Sequence, residues 1–225
     1  MVDVSAVKNT VLAKMKQKVF GKSPYGNQDW AKADFDWYSQ LHDSHPLLHQ
    51  DFVRYFKEKK DIETVLEVGC GAGVYSIRYK ELFTGKKYAG LDISQTNIDF
   101  CKKNSNFDFI CGDIIKMDFK KTYDLVFSHA VVDHVYDIDE FLTKVVKATK
   151  KYAYINSYRG YFPNLKEHKM RWKELDKCYY NDISIDRVRK VLLDNGLDEE
   201  QFLIRSQIGS NPPDNDTQLV IEIIK

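Results

Sequence analysis

Residues 65–76 read VLEVGCGAGVYS, with Gly69, Gly71 and Gly73 on alternate positions after an apolar run and before a helix-like stretch. Glycine admits positive φ and lets a ligand approach where a Cβ would stand. Between a strand and a helix it sets ligand groups beside free N–H groups and a positive dipole end. The stretch therefore predicts a nucleotide-like ligand. About 20 residues on, GLDIS ends an apolar run at Asp92, where a carboxylate can accept from ribose hydroxyls. Ser94 is the better helix cap and leaves Asp92 for the ligand. Asp113 in CGDI ends a third run and can accept from an adenine-type amino group, with Ile93 and Ile114 sandwiching the ring. The dinucleotide fingerprint GxGxxG fails in both registers, at Val74 and at Ser76, which counts against a nicotinamide cofactor.

A fourth run ends at Ser128 and continues as SHAVVDH, bringing His129, Asp133 and His134 together. An imidazole at such an edge can act as general base for a hydroxyl or an ammonium. After a fifth run comes NSYRGYFPN. Tyr158 and Arg159 there are placed for a substrate, and Arg159 could clamp a phosphate or carboxylate. The following KEHKMRWKELDKCYYND reads as a helix with a solvated, charged face. Near the N-terminus, Tyr25, Trp30, Trp37, Tyr38, His42 and His45 form an aromatic stretch that could close over a site as a lid. His42, His45 and His49 raise the question of a metal, but Pro46 interrupts their spacing and no metal site is expected.

The elements that must position these residues follow from periodicity. Residues 3–20, 31–41 and 46–59 have helical spacing, with Pro46 suited to a first turn. From residue 63 short apolar runs at 64–68, 87–91, 107–111, 123–128 and 151–156 alternate with helical stretches near 73–83, 94–104, 137–148 and 184–195. That alternation predicts a doubly wound, mostly parallel α/β sheet. At the end, QFLIRSQ and TQLVIEIIK flank the loop IGSNPPDND and predict a C-terminal antiparallel hairpin, for seven strands in all. Residues 1–60 are expected to form a helical extension or lid and residues 61–225 the Rossmann-like domain.

Composition narrows the partners. The chain has 225 residues, 34 basic and 33 acidic side chains and a formal net charge of +1. That balance gives no case for nucleic acid, whose phosphates favour a basic face. The four cysteines have no CxxC spacing and read as reduced thiols of a cytoplasmic protein. No apolar run approaches the ~20 residues of a membrane helix, and the N-terminus does not read as a signal peptide. Composition says nothing of oligomeric state.

VLEVGCGAGVYS, YAGLDIS, ICGDI and YDLVFSHAVVDHV, in this order, resemble the successive motifs of the class I S-adenosylmethionine-dependent methyltransferases. The resemblance covers roughly residues 50–160, and the terminal strand pair matches as well. It implies that Glu67, Gly69, Gly71, Gly73, Asp92 and Asp113 line an S-adenosylmethionine site, with Ile93, Ile114 and Ser128 beside them and Glu67 facing the ammonium. It places His129 beside the reactive methyl, with Asp133 and His134 one turn on. The function implied is methyl transfer to a small polar acceptor, at an oxygen such as a sugar hydroxyl or phosphate-type group, in surface-glycan or small-metabolite biosynthesis. Arg159 leaves room for a phosphorylated or nucleotide-linked acceptor. The alternatives are a nicotinamide-dependent oxidoreductase and a non-catalytic, cofactor-binding partner subunit.

Overall fold

The computed structural model describes residues 34–174, 178–208 and 217–225. The expected first helix at 3–20, the loop at 21–30 and Tyr25 lie outside them. Seven strands form one sheet: β1 (Thr64–Val68), β2 (Lys87–Asp92), β3 (Asp108–Cys111), β4 (Tyr123–His129), β5 (Thr149–Ser157), β8 (Phe202–Ile208) and β9 (Thr217–Ile224). Their order is β3-β2-β1-β4-β5-β9-β8. The first five run parallel, β9 runs antiparallel to β5, and β8 pairs antiparallel with β9. The carboxyl ends of the parallel strands therefore share one edge.

The parallel strands are apolar on consecutive positions because both faces are covered. In β1, Val65 belongs to one core and Leu66 to the other. The first face carries α1 (Phe35–Ser44), α2 (Pro46–Glu58), a short α3 (Val74–Ile77) and α4 (Gln95–Asn104); the second carries α5 (Ile138–Ala148) and α6 (Ile185–Asp194). Side-chain caps from Asp34, Ser94, Asp137 and Ser184 open α1, α4, α5 and α6, each supplying an acceptor for an orphan N–H.

Two expectations are corrected. The helix near 73–83 is broken: α3 stops at Ile77, and a 3₁₀ turn follows at Lys80–Phe83. Its last turn widens, with Tyr79 N–H bonding back to Val74 O at 3.3 Å. Within 166–182 the described residues form two paired strands rather than a helix. Strands β6 (Lys169–Lys173) and β7 (Cys178–Asp182) pair antiparallel from Lys169↔Asp182 to Lys173↔Cys178. The reason lies in KMRWK: its charges alternate with Met170 and Trp172, which pack on the core, and alternation is a strand's period.

Helix α2 fixes the cover of the site. Leu48, Asp51, Phe52, Tyr55 and Phe56 are its buried stripe. Tyr55 donates to Ala153 O at 3.0 Å. Asp51, 7% exposed, accepts from Tyr154 Oη at 2.8 Å, Arg205 Nη2 at 2.5 Å and Arg54 Nη2 at 2.7 Å. Burial opposes its charge, but these donors outweigh burial and hold the carboxyl below its ordinary range. The stabilisation is present above the unfolded-state value of about 3.9 and is lost as pH falls through the lower folded value. Asp51→Ala should cost about 3–5 kcal/mol, the range for stranding a buried partner, read as a lower urea midpoint. A loss under about 1 kcal/mol would mean that the aromatic stripe alone docks α2.

Candidate active site

A cavity of about 530 Å³ opens at the carboxyl edge of β1–β4, roofed by α1 and α2. Glu67 stands at its floor, buried, with the Tyr88 hydroxyl donating to Oε2. Burial pushes its carboxyl well above the usual range. An acid kept there needs a ligand cation or a strong donor to hold its charge. Beyond it the backbone turns through Gly69 and Gly71 at φ 77° and 51°. A Cβ at Gly69 would stand 2.1 Å from Val131 Cγ2, and one at Gly71 2.6 Å from Tyr38 Cε1. Both positions need glycine for backbone angle and for room.

Asp92 ties this bend to β2. Oδ2 accepts from Gly71 N–H at 2.9 Å, and Oδ1 accepts from Ser94 N–H at 2.8 Å and Asn97 Nδ2 at 3.4 Å. Ser94 caps α4 as expected, accepting from Asn97 N–H at 3.3 Å. Asp92 is thus already partnered, though its two carboxylate oxygens offer about four lone-pair directions, of which these bonds take three. Burial raises its pKa, against the bonds from Ser94, Gly71 and Asn97. Asp113 accepts from Ile115 N–H at 3.1 Å and Tyr136 Oη at 3.0 Å. It lines the cavity with Ile93 and Ile114.

On the other side stand the histidines. His129 ends β4 beside Asn156 of β5, its register partner. Asn156 Nδ2 lies 2.7 Å from His129 Nδ1, and Asn156 Oδ1 accepts from Ala130 N–H at 3.0 Å. Ala130 turns the chain at φ 56°. The His129 ring stacks on Tyr75 at 5.0 Å and meets Phe52 edge-on at 5.0 Å. His134 Nδ1 is 2.7 Å from Tyr179 O, and its Nε2 is 3.2 Å from Tyr158 Oη. The roof adds His42 and His49, with His42 6.3 Å from His129 and 6.1 Å from His49 between ring centroids.

Several expected site residues lie elsewhere. Successive strand residues face opposite sides, so Ser128 points away from His129. It donates to Val68 O at 2.9 Å and does not line the cavity. Gly73 starts α3, packed toward Ser76 and Cys101. Asp133 is buried outside the lining; it accepts from Ser157 Oγ and from Arg159 N–H at 3.3 Å. Burial raises its carboxyl, and the neighbouring His134 acts against that rise. Arg159 is committed to Asp182 at 3.3 Å and to the Tyr180 ring at 5.0 Å. Neither lysine nor arginine lines the cavity among the described residues. No group of three or more histidine, cysteine, aspartate or glutamate side chains is placed to hold a metal among them. Residues that sequence reasoning passed over are Asn156, Asn97 and Tyr75. Asn156 carried a faint signal, as an amide ending the apolar run KYAYIN.

Electrostatically, three of the histidines, His42, His49 and His129, are held toward their neutral forms. Burial, His49 and Arg78 push His42 down to about 4. Burial and Arg78 lower His49, and burial, His42 and His49 hold His129 well below its ordinary value. A histidine with a depressed folded value binds fewer protons than the unfolded chain. Stability should therefore fall as pH drops from about 6.5, the His42 share being lost down to about 4. Urea unfolding at pH 7, 6 and 5 checks this: His42→Gln should flatten the slope. An unchanged slope would mean that His42 charges freely in the folded protein.

A family model described as a methyltransferase domain matches residues 59–196. Over 147 residues the chain is 27% identical to a ubiquinone biosynthesis O-methyltransferase of Bradyrhizobium diazoefficiens, covering 59% of this chain and 57% of that protein. Over 92 residues it is 33% identical to a pavine N-methyltransferase of Thalictrum flavum subsp. glaucum, covering 38% and 26%. These matches span from about a quarter to a little over half of the relatives' own lengths. The crystal structure of a magnesium protoporphyrin IX methyltransferase from Synechocystis PCC 6803 with bound S-adenosylmethionine aligns at TM-score 0.54 and 16% identity, over 96% of this chain and 97% of that one. At that identity the likeness is one of fold: the mostly parallel seven-stranded sheet with its antiparallel strand pair. With glycine bend, edge acids, sheet order and family match in agreement, and with the nicotinamide alternative set aside by them, the chain belongs to the class I S-adenosylmethionine-dependent methyltransferase family.

Proposed function

We propose that this chain methylates an oxygen of a small, uncharged acceptor, using S-adenosylmethionine. One observation carries the reading: the cavity joins an edge of acids to a wall of histidines and tyrosines that carries no fixed cation among the described residues. S-adenosylmethionine, when bound, supplies an electrophilic methyl and leaves as the neutral thioether. Glu67 would receive its ammonium, Asp92 a ribose hydroxyl, and Ile93 and Ile114 the flat ring. Asp113 borders the same pocket.

The acceptor side argues against the phosphorylated or nucleotide-linked substrates that Arg159 suggested. A dianion set in a cavity whose described lining carries neither lysine nor arginine would forfeit its hydration without a compensating partner. Tyr75, Tyr158 and the histidine rings offer flat apolar faces with few polar tips, a surface suited to a ring or short chain bearing a hydroxyl. Tyr38, against Gly71 and bonded by Asn97 Nδ2 at 3.3 Å, closes the roof over the glycine bend. Water exclusion there strengthens every polar contact inside.

Asp92→Ala should weaken S-adenosylhomocysteine binding by about 1.5–3 kcal/mol, the scale of hydrogen bonds to a charged group. Isothermal titration reads this, with Ser128→Ala unchanged as the control. Equal affinity in folded Asp92→Ala protein would remove Asp92 from the cofactor site. Gly71→Val should abolish binding, since its side chain collides with Tyr38. Preference of the wild type for NADH would overturn the reading as a whole.

A further inference from the structure

We infer that His129 serves the acceptor as a hydrogen-bond donor through Nε2, that Asn156 imposes this role, and that the proton leaves through Tyr158 to His134, so that the cavity selects oxygen over nitrogen. The inference rests on the methyltransferase reading above.

Ala130 N–H lies 3.0 Å from the Asn156 side chain and 3.2 Å from the Asn156 main-chain oxygen; an N–H only donates, and a second donor at 3.0 Å would oppose it, so the side-chain atom facing it is Oδ1. The atom facing His129 is therefore Nδ2, which also only donates. It reaches Nδ1 of His129 at 2.7 Å. Nδ1 must carry the lone pair, and the proton of the ring sits on Nε2. A ring protonated on both nitrogens would set two donors against each other. Nε2 is buried and has no hydrogen-bond partner among the described residues, while the ring lines the cavity. On this inference His129 is a donor to the acceptor and not the general base expected of it.

His134 has the opposite tautomer. Its Nδ1 faces Tyr179 O at 2.7 Å, and a carbonyl only accepts, so Nδ1 bears the proton and Nε2 the lone pair. Tyr158 Oη, at 3.2 Å, donates to that lone pair. Both residues line the cavity. Among the polar groups of the lining, His129 Nε2–H is thus a donor and the oxygen of Tyr158 an acceptor for the reacting group.

A hydroxyl matches both. One lone pair of its oxygen accepts from His129, and the other becomes the new O–CH₃ bond. Its O–H bond breaks, the electron pair stays on oxygen, and the proton passes to Tyr158 Oη as Tyr158's own proton passes to His134 Nε2. An imidazolium results, beside buried Asp133. A neutral amine has a single lone pair; once engaged by His129, none remains for methylation.

Nitrogen-15 NMR of histidine-labelled protein with S-adenosylhomocysteine reads the tautomers without any acceptor. His129 should carry its proton on Nε2 and His134 on Nδ1, and Asn156→Asp should move the His129 proton to Nδ1 while keeping the Ala130 bond. A wild-type His129 protonated on Nδ1, or on both nitrogens, overturns the inference. Failure to bind S-adenosylhomocysteine strikes the methyltransferase reading instead. A panel of phenols and matching anilines with labelled S-adenosylmethionine then reads selectivity. Methyl should enter phenol oxygens. Asn156→Asp and His129→Ala should lose about 10²-fold in kcat with S-adenosylhomocysteine affinity kept. His129→Gln, which retains an N–H donor, should recover part of that loss. Faster turnover in Asn156→Asp, or anilines methylated in preference, overturns the inference.

Discussion

The amide of Asn156 has both ends committed, and the acceptor half of the site follows from that commitment. Its oxygen shares Ala130 N–H with the main-chain oxygen of the same residue, and together they hold the chain in a left-handed turn immediately after β4. Such a conformation costs a non-glycine residue roughly 1–2 kcal/mol, so a specific partner must hold it. Its nitrogen faces His129 and sets the ring's proton. One side chain thus positions the loop that carries Val131 and His134 and defines what His129 can do. Residue 156 lies in register with residue 129 across two parallel strands, so the constraint is built into the sheet.

The cofactor half has a parallel logic. The bond from Gly71 N–H to Asp92 joins the first two crossovers, and the positive φ of the bend presents that N–H to the carboxylate. Roof and floor are then coupled, because Tyr38 rests on Gly71 and is bonded by Asn97, which also bonds Asp92. The aromatic N-terminal stretch, from Trp37 onward, is continuous with the core through Phe52, Tyr55 and Phe56. It packs the helices onto the sheet and covers the site at once.

Much of this was legible before any coordinate. The five parallel strands and the terminal pair emerge from apolar runs of strand length, since burial on both faces leaves an unmistakable composition. The acids at strand ends were legible because a carboxylate ending an apolar run has few reasons to be there. Ser128 and His129 were readable too: the period of two forbids both from facing one cavity. The strand pair within 169–182 was obscured because its lysines and arginines resemble a solvated helix face, while only Met170 and Trp172 mark the strand period. Arg159 was misplaced because a sequence does not reveal Asp182, which arrives from 23 residues away to pair with it and with Arg171. The tautomers of the two histidines were beyond reach, since they depend on a backbone amide and a carbonyl, groups that every residue has.

The absence of lysine and arginine from the described lining has a consequence for how the acceptor is chosen. Sites that grip ligands by charge lose affinity as ions accumulate, because screening acts over a Debye length of about 8 Å at physiological ionic strength. Among the described lining residues there is no lysine or arginine grip for mobile ions to loosen. Recruitment of the acceptor should be governed by shape and by the loss of its water shell, and should be nearly indifferent to the salt content of the medium in which the protein works.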